Sequence, residues 1–362
     1  MFRFYGIYKV SLLIGMPLVS IIILNYNGIQ HIEQCLKSVL NSNYENFEVI
    51  FVDNASTDGS YEYVVNTFGN YPRLKIIRNS SNLGFSGGNN IGIKYARGEY
   101  IVLLNNDTVV ESDWLKNIIP VLEKHRDIAL AQPVILYLHR PKIVQSMGFF
   151  VDKMLLIAEP FGNMLNVEKL KNTCIIKGIT FPHGACLFIR KDVLKKLGLF
   201  DPRIILYFDD CYWGMLAWLL GLNVAVITNS RIYHKGRATI DTMGNEFIVF
   251  HRTISKLAII LRLYPLKSLL FAFPSFFVIW PIFILYKILK KWKKMSILSA
   301  VFKAYSWSLN NFGYFVVWRK KIRKRNNRIY YDRLFKHMLP NVFSHKKLRR
   351  LLRSGKMEIL KT

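Results

Sequence analysis

Four short apolar runs, each stopping abruptly at polar residues, constrain the fold of this chain most tightly: Leu18–Leu24, Phe47–Val52, Leu74–Ile77 and Tyr100–Leu104. Nearly continuous apolar runs of this length read as strands buried on both faces, and so as a parallel sheet. Helical patterns separate them. Ile32, Leu36, Val39 and Leu40 recur on one face after the first run, and a helix is expected from about Ser60 to Phe68 after the second. After the third, a Gly/Asn-rich loop from Asn82 to Gly92 leads through a helix into the fourth. The alternation predicts an α/β chain with an open, doubly wound sheet. Such sheets bind ligands beyond the carboxyl ends of their strands. The polar clusters fall there, which puts Asp53 and Asp107 on one edge.

The pattern loosens beyond Asp107. A helix is expected around Asp113 to Lys124 despite Pro120, then strands near 128–137, 143–157 and 181–190. Asp209 to Leu220 reads as an apolar helix, and Val224–Ile227 and Arg231–His234 as short strands. With 362 residues, half of them hydrophobic, one large or two ordinary domains can form a core. Residues 1–16 read as an N-terminal appendage, because the apolar patch Val10–Ile14 is too short to span a bilayer. Cys35, Cys174, Cys186 and Cys211 lack CxxC or zinc-ligand spacing and read as reduced, mostly buried thiols of a cytosolic compartment.

Composition changes again from Lys256. Ser268–Tyr286 holds nineteen residues without a charge, the run Lys290–Lys294 follows, and a second apolar stretch, Met295–Trp318, contains one lysine. From Arg319 to the end sixteen Lys/Arg face two acids, Asp332 and Glu358, so this part carries +14 of the formal +28. Such a block of charge points to an anionic partner. Basic residues before, between and after two apolar stretches fit an anionic membrane surface. No nucleic-acid recognition motif accompanies them, and no nucleic-acid partner is expected. Ser268–Tyr286 is about long enough to cross a ~30 Å hydrocarbon core. Yet Pro274 and Pro281 interrupt it and Trp280 lies towards its middle. In-plane helices or a helical hairpin are therefore favoured over one simple span, with core helices of a soluble domain as the plain alternative.

Three polar clusters carry candidate chemistry. Asp53 ends the second strand, where a carboxylate can simply cap the following turn, and Asp58 reads as a local N-cap. The spacing Gly84, Gly87, Gly88, Gly92 is not that of a dinucleotide fingerprint. "NNDT", Asn105 to Thr108, is either a polar turn or a metal and phosphate site at a strand end. Asp209 and Asp210 open an apolar helix, a position that suits carboxylates through the helix dipole alone. His234 by itself is a histidine at a strand end.

Together the segments say more. "VSIIILNYNG" with "VDNASTDGS", "NLGFSGGNNIG" with "LLNNDT", and "PHGACLFIRKDVLKKLGLFD" with "YFDD" and "YHKGRAT" resemble the family 2 glycosyltransferases of the GT-A fold, most closely the rhamnosyltransferase-like branch. The resemblance covers roughly residues 17 to 240. It implies a Rossmann-like nucleotide-sugar-binding domain and an inverting transfer of a sugar from a nucleotide-diphosphate sugar to a hydroxyl. It implies that Asp53 meets the nucleotide base, whose pyrimidine ring can offer an N–H to a carboxylate. It implies that Asn82, Gly84, Gly87 and Asn89, with Asn90, form a nucleotide-side loop, and that Asn105, Asn106 and Asp107 occupy a DxD-type motif.

In that motif Asp107 would hold a divalent cation, Mn2+ or Mg2+, with His234 completing the metal site or contacting the diphosphate and Arg237 steadying the phosphates. Asp210 is the implied general base, with Asp209 second. Tyr212 departs from the family pattern, which has a further aspartate there.

The implied organisation is a GT-A catalytic domain over 17–252, apolar membrane-associated helices over 253–325 and a basic tail over 326–362. Nucleotide-sugars are cytosolic, so the catalytic domain is expected on the cytoplasmic side of a membrane, with a lipid-linked or glycan acceptor. A processive polysaccharide synthase fits less well, because a QxxRW-like motif and enough spanning segments are missing. A polyprenyl-phosphate sugar transferase and, from another class, a basic nucleic-acid or anionic-surface binding protein are the remaining rivals.

Overall fold

The computed structural model describes residues 15–170, 174–204, 206–236, 244–292, 294–325, 329–338 and 360–361. Three of the apolar runs become the fully buried parallel core of a mixed sheet: β1 (Val19–Asn25), β2 (Phe47–Asp53) and β4 (Tyr100–Asn105), with β3 (Leu74–Arg78) on the outer edge of β2. The register explains why their polar ends meet. Asn25 lies opposite Asp53, and Leu24 opposite Asn105, so three strands end on one level.

The intervening helices are α1 (Ile29–Leu40), α2 (Ser60–Phe68) and α3 (Gly84–Tyr95). α1 buries Ile32, Cys35, Leu36 and Val39. Its first N–H, at Ile29, donates to Asp58 Oδ2 at 2.9 Å, while Asp58 Oδ1 accepts from Ser60 N at 3.0 Å. One carboxylate thus serves two helix starts, a purely structural task.

The segment Asn82 to Gly92 corrects the expected loop, for α3 starts at Gly84. Glycine-rich sequence ordinarily disfavours helix, but here packing decides. A Cβ on Gly88 would lie 2.4 Å from Leu24 Cδ1, and one on Gly92 2.4 Å from Ile22 Cγ2. The absent side chains let α3 lie directly on β1 and β2.

Beyond β4 the sheet mixes antiparallel and parallel pairs. β5 (Thr108–Val110) and α4 (Trp114–Lys124) precede β6 (Ile128–Tyr137) and β7 (Arg140–Ser146), and a small ribbon, β8 (Phe149–Val151) with β9 (Ala158–Pro160), stands apart. After β10 (Cys174–Lys177), β11 (Cys186–Arg190) pairs antiparallel with both β4 and β6 and joins the two halves of the sheet. α5 (Lys191–Leu197) and α6 (Asp209–Leu219) follow. The two short strands expected over 224–234 are one long strand, β12 (Asn223–His234), with a register shift between Ile227 and Arg231.

The C-terminal part packs onto this framework and shares its core. α7 (Asn245–Leu263) leads to α8 (Leu266–Lys290), then α9 (Ser296–Asn310), α10 (Phe312–Arg325) and α11 (Tyr331–Lys336). A two-residue strand, β13 (Leu360–Lys361), pairs with β10. The rest of the basic tail from 339 to 359 lies outside the described residues, as do residues 1–14.

α8 is continuous through both prolines, contrary to the expected interruption. It buries Ala272, Phe276, Trp280, Ile284 and Ile288, a stripe with a step of four. In a regular α-helix such a stripe drifts by about 40° per step. The wider π turns at Ser275–Ile279 and Ile288–Trp292 counter that drift and absorb the N–H that Pro281 lacks. The opposite face shows Leu270, Phe271, Val278, Ile282 and Leu289, all more than half exposed. At 25 residues, and with a mean hydropathy of 2.2 in its most apolar window, α8 is long and apolar enough to cross a membrane.

Candidate active site

The strand ends form a polar shelf that is already paired within itself. Asp53, fully buried, accepts from Asn25 Nδ2 at 3.2 Å and from Ser56 N at 3.0 Å, with Arg78 Nε at 3.6 Å. Asn25 in turn accepts from Asn106 Nδ2 at 2.7 Å, which ties the end of β1 to the turn after β4. The Asn105 carbonyl receives Thr108 Oγ1 at 2.7 Å. Asn54 connects the shelf to α3: its amide donates to Asn82 Oδ1 at 2.8 Å, and Asn82 Oδ1 also takes Gly84 N at 2.9 Å. Asn27 and Ala55, both with positive φ, shape the two loops at this edge.

Asp107 sits at the centre, nearly buried. Its Oδ1 lies 3.1 Å from His234 Nε2, and His234 Nδ1 lies 2.8 Å from Gln145 Oε1. Burial alone would raise the Asp107 carboxyl. The hydrogen bond and charge of His234, with the charge of His31, outweigh it and hold the group below the usual carboxylate range. A carboxylate and an imidazole oriented by an amide are donors that suit a divalent cation, and no cluster of three or more His, Cys, Asp or Glu surrounds them among the described residues. Two protein donors fit a cation that takes its remaining ligands from phosphate oxygens and water. Lys235, whose N–H donates to Asp107 O at 3.1 Å, brings its ammonium to the rim, 3.4 Å from His31 Nε2.

A short segment joins this pair to the aspartates of α6. The His183 ring lies 5.5 Å from the His234 ring, and the next residue, Gly184, donates its N–H to Asp210 Oδ2 at 2.9 Å. Gln132 Oε1 fixes the segment by accepting from His183 N at 2.6 Å. Burial, with the charge of His234, pushes the His183 imidazole down to about 3, so it stays neutral.

Asp209 and Asp210 are adjacent in sequence but face different surroundings, because neighbours on a helix diverge by about 100°. Asp209 is buried against α3, where Ser86 Oγ lies 2.7 Å from its Oδ1. Burial, with Asp210 and Asp201 nearby, raises its carboxyl well above the ordinary range despite the Ser86 hydroxyl. Asp210 faces a cavity. Burial lifts its carboxyl to about 6 against the N–H groups of Cys211 and Gly184. The turn before them is strained: Tyr207 and Phe208 have φ of 70° and 65°, a left-handed pair that sharply reverses the chain into α6.

That cavity, about 510 Å3, is walled by Phe149, Phe181, Phe208, Trp280 and Phe283, with Asp210 and His183 on the sheet side and Arg252, Lys256 and Lys287 on the helix side. A larger cavity of about 720 Å3 lies between α3, α5 and α10 and takes in Asn82, Gly87 and Asn90. It contains neither Asp107 nor Asp210.

The structure therefore gathers Asp53, Asn105, Asn106, Asp107 and His234 at the strand ends and sets Asp210 beside them. Asn89 instead donates to Phe85 O in its own helix at 2.9 Å, and Asn90 braces both backbone groups of Phe200. Arg237 lies outside the described residues. Gln132, Gln145, His183 and Lys235 had no sequence signal of their own. Only their place in quoted segments, or none at all, preceded them.

With this geometry in view, likeness to known proteins carries meaning. The model of Glycosyl transferase family 2 matches residues 20–198. An uncharacterized glycosyltransferase of Haemophilus influenzae is 36% identical over 112 residues, 31% of this chain and 35% of its own length, so the chain's match spans about a third of that curated relative. The glycosyltransferase GlyG of Streptococcus pneumoniae is 29% identical over 231 residues, 64% of this chain and 74% of its own. Among solved structures, the mannosyltransferase PcManGT of Pyrobaculum calidifontis, in complex with GDP-Man and Mn2+, is similar with a TM-score of 0.50, 16% identity and coverage of 98% of this chain and 95% of that one. That last likeness concerns the fold, the GT-A arrangement. These likenesses, and the order in which the motifs fall, make residues 20–198 a glycosyl transferase family 2 domain.

Proposed function

We propose that this protein is a metal-dependent, inverting glycosyltransferase that moves a sugar from a nucleotide-diphosphate donor to a hydroxyl of a lipid-linked glycan at a membrane surface. One observation carries the reading: Asp107 with His234, and Asp210, are two ends of a single connected site, bridged by His183 and Gly184. Asp53 and the shelf of Asn25, Asn105 and Asn106 receive the nucleotide, with Asn82 reaching it through Asn54. Asp107 and His234 hold Mn2+ or Mg2+, as the GDP-Man and Mn2+ complex of the fold neighbour suggests. The cation, when bound, neutralises charge on the leaving diphosphate. Lys235 supplies further positive charge at the rim.

A sugar hydroxyl is a weak nucleophile near neutral pH. Asp210, ionised above about 6, takes its proton as it attacks the anomeric carbon, and inversion follows from a single displacement. Its raised proton affinity makes it a better base than an ordinary carboxylate. Asp209, whose carboxyl burial raises and which Ser86 holds, is a positioning residue for α6. The cavity beyond Asp210 is the acceptor side.

Residues 17–252 then bear the catalytic groups, 253–325 the membrane-associated helices, and 326–362 a basic tail that meets anionic headgroups on the cytoplasmic side. The exposed apolar face of α8 supports the membrane assignment. It suits one crossing or shallow insertion along its length.

The test is a donor screen on full-length protein, in which hydrolysis and transfer from a panel of nucleotide-sugars are measured with Mn2+, with Mg2+ and with EDTA. Turnover of one donor that EDTA abolishes is the expected result. A chain that turns over none of the panel, or is indifferent to EDTA, removes the reading. Fractionation checks the membrane part: protein that stays soluble without detergent and ignores anionic liposomes excludes it.

A further inference from the structure

The acceptor cavity has a feature that recognition of a neutral glycan does not require. Lys256, on α7, is only 3% exposed, yet it has no hydrogen-bonded acceptor among the described residues. Its ammonium lies 3.7 Å from the centre of the Trp280 ring and 5.4 Å from that of Phe208. Trp280 is fixed in turn, its Nε1–H donating to Thr253 Oγ1 at 3.0 Å, so this cationic corner is built rather than incidental. Asp152, whose charge acts on it, is itself held by backbone: its oxygens accept from the N–H groups of Met154, Leu155 and Ile157 at 2.7–2.9 Å. Arg252, one turn back on α7, and Lys287, on α8, line the same cavity. Burial drives the Lys256 ammonium down to about 7, with Arg252 adding to it and Asp152 and Cys211 opposing. A buried cation with aromatic neighbours and no hydrogen-bonded acceptor among the described residues is costly unless an anion joins it.

We propose that Lys256, with Arg252 and Lys287, binds the phosphate or diphosphate of a lipid-linked acceptor, whose chain leaves the cavity along the apolar face of α8. This rests on the transferase reading and specifies its acceptor. The phosphate sits against α7, the first sugar lies towards Asp210, and the chain passes Phe283, half-buried in the cavity wall and next to the exposed Ile282 of α8. An anion in this place keeps Lys256 protonated and replaces a ring face by a charge-assisted hydrogen bond.

The experiment uses full-length protein in phosphatidylcholine nanodiscs, titrated by calorimetry with octyl phosphate, octanol and inorganic phosphate. Octyl phosphate is expected to bind at least about tenfold more tightly than either of the others. Lys256→Met should remove that advantage and Lys256→Arg should retain most of it, which separates charge from packing; a thermal melt confirms that both variants fold. Equal binding of octyl phosphate and octanol, or an unaltered titration in Lys256→Met, overturns the proposal. Equal binding of inorganic phosphate overturns the lipid part and leaves a free-anion site. UDP and GDP are titrated with Mn2+ on the same wild-type preparation. Nucleotide binding without octyl phosphate binding sinks the acceptor proposal alone, and the reverse pattern sinks the transferase reading instead.

Discussion

On the strand side of the site, Asp53, Asn25 and Asp107 all meet protein partners, whereas on the helix side Lys256 faces aromatic rings and, among the described residues, no acceptor. The strand side comes from parallel strands ending in register, so its polar groups are close enough to satisfy one another. A ligand arriving there exchanges existing hydrogen bonds for new ones. It gains orientation more than net energy. The helix side comes from α6, α7 and α8, whose contacts are mostly apolar, and the Lys256 ammonium there meets ring faces in place of a hydrogen-bond acceptor among the described residues. The comparison teaches that one wall is preset for a defined headgroup, and the other is set for charge carried on an apolar stem.

The largest effect should come from breaking the strand side at its centre. Asp107→Ala is expected to lower transfer on the order of 10³-fold, the scale of losing several kcal/mol of charge stabilisation, with the thermal melt unchanged. EDTA should do the same to the wild type, and near-normal initial rates in either case end the metal assignment. Asp210→Asn should lower kcat by about 10²-fold or more while nucleotide-sugar affinity stays the same. Asp209→Asn is expected to be mild in kcat, since its amide oxygen still faces Ser86. The opposite ranking of these two variants would exchange their roles.

A pH profile sharpens the same point. The base works as a carboxylate, and its folded pKa is raised to about 6, so kcat/KM should fall as pH drops through about 6 and level off above it. A flat profile from pH 5 to 7 contradicts Asp210 as the base. Gln145→Ala, which leaves His234 unoriented, should weaken Mn2+ activation by about 10- to 100-fold without touching a ligand. The smallest effect on activity should be that of Gly92→Ala. Its methyl would press on Ile22, so the cost of about 1–3 kcal/mol should appear in denaturant unfolding and leave activity per folded molecule near wild type.

The strand ends were legible because burial on both faces leaves an unmistakable apolar run, and the residue that follows must meet water or ligand. What failed to show was packing at a distance. The glycines of α3 look like a loop in sequence because helix propensity is local, and only the proximity of Ile22 and Leu24 makes small residues necessary. Gln145 and Gln132 act on partners 89 and 51 residues away, spacings that no local pattern encodes. Asp209 and Asp210 both suit a helix start, so in sequence only the resemblance put Asp210 first, and rotation about the α6 axis gives the two different surroundings. Asp201, within the "LGLFD" segment, gave no sign that it would pair with Arg262 while accepting from Tyr314 Oη at 2.7 Å.

That last contact bears on how the two parts of the molecule can be separated. α7 runs through position 252, and Arg262, buried within it, binds Asp201 on the sheet side, while Tyr314 on α10 reaches the same carboxylate. Removing everything after residue 252 would take from Asp201 both its counter-ion and the Tyr314 hydroxyl and strip α6 of its apolar cover. A soluble catalytic fragment is therefore not to be had by cutting there. In an evolving lineage the same linkage has a longer reach: the helical layer cannot be exchanged as a cassette between enzymes of different acceptor preference, and must change alongside the domain it covers.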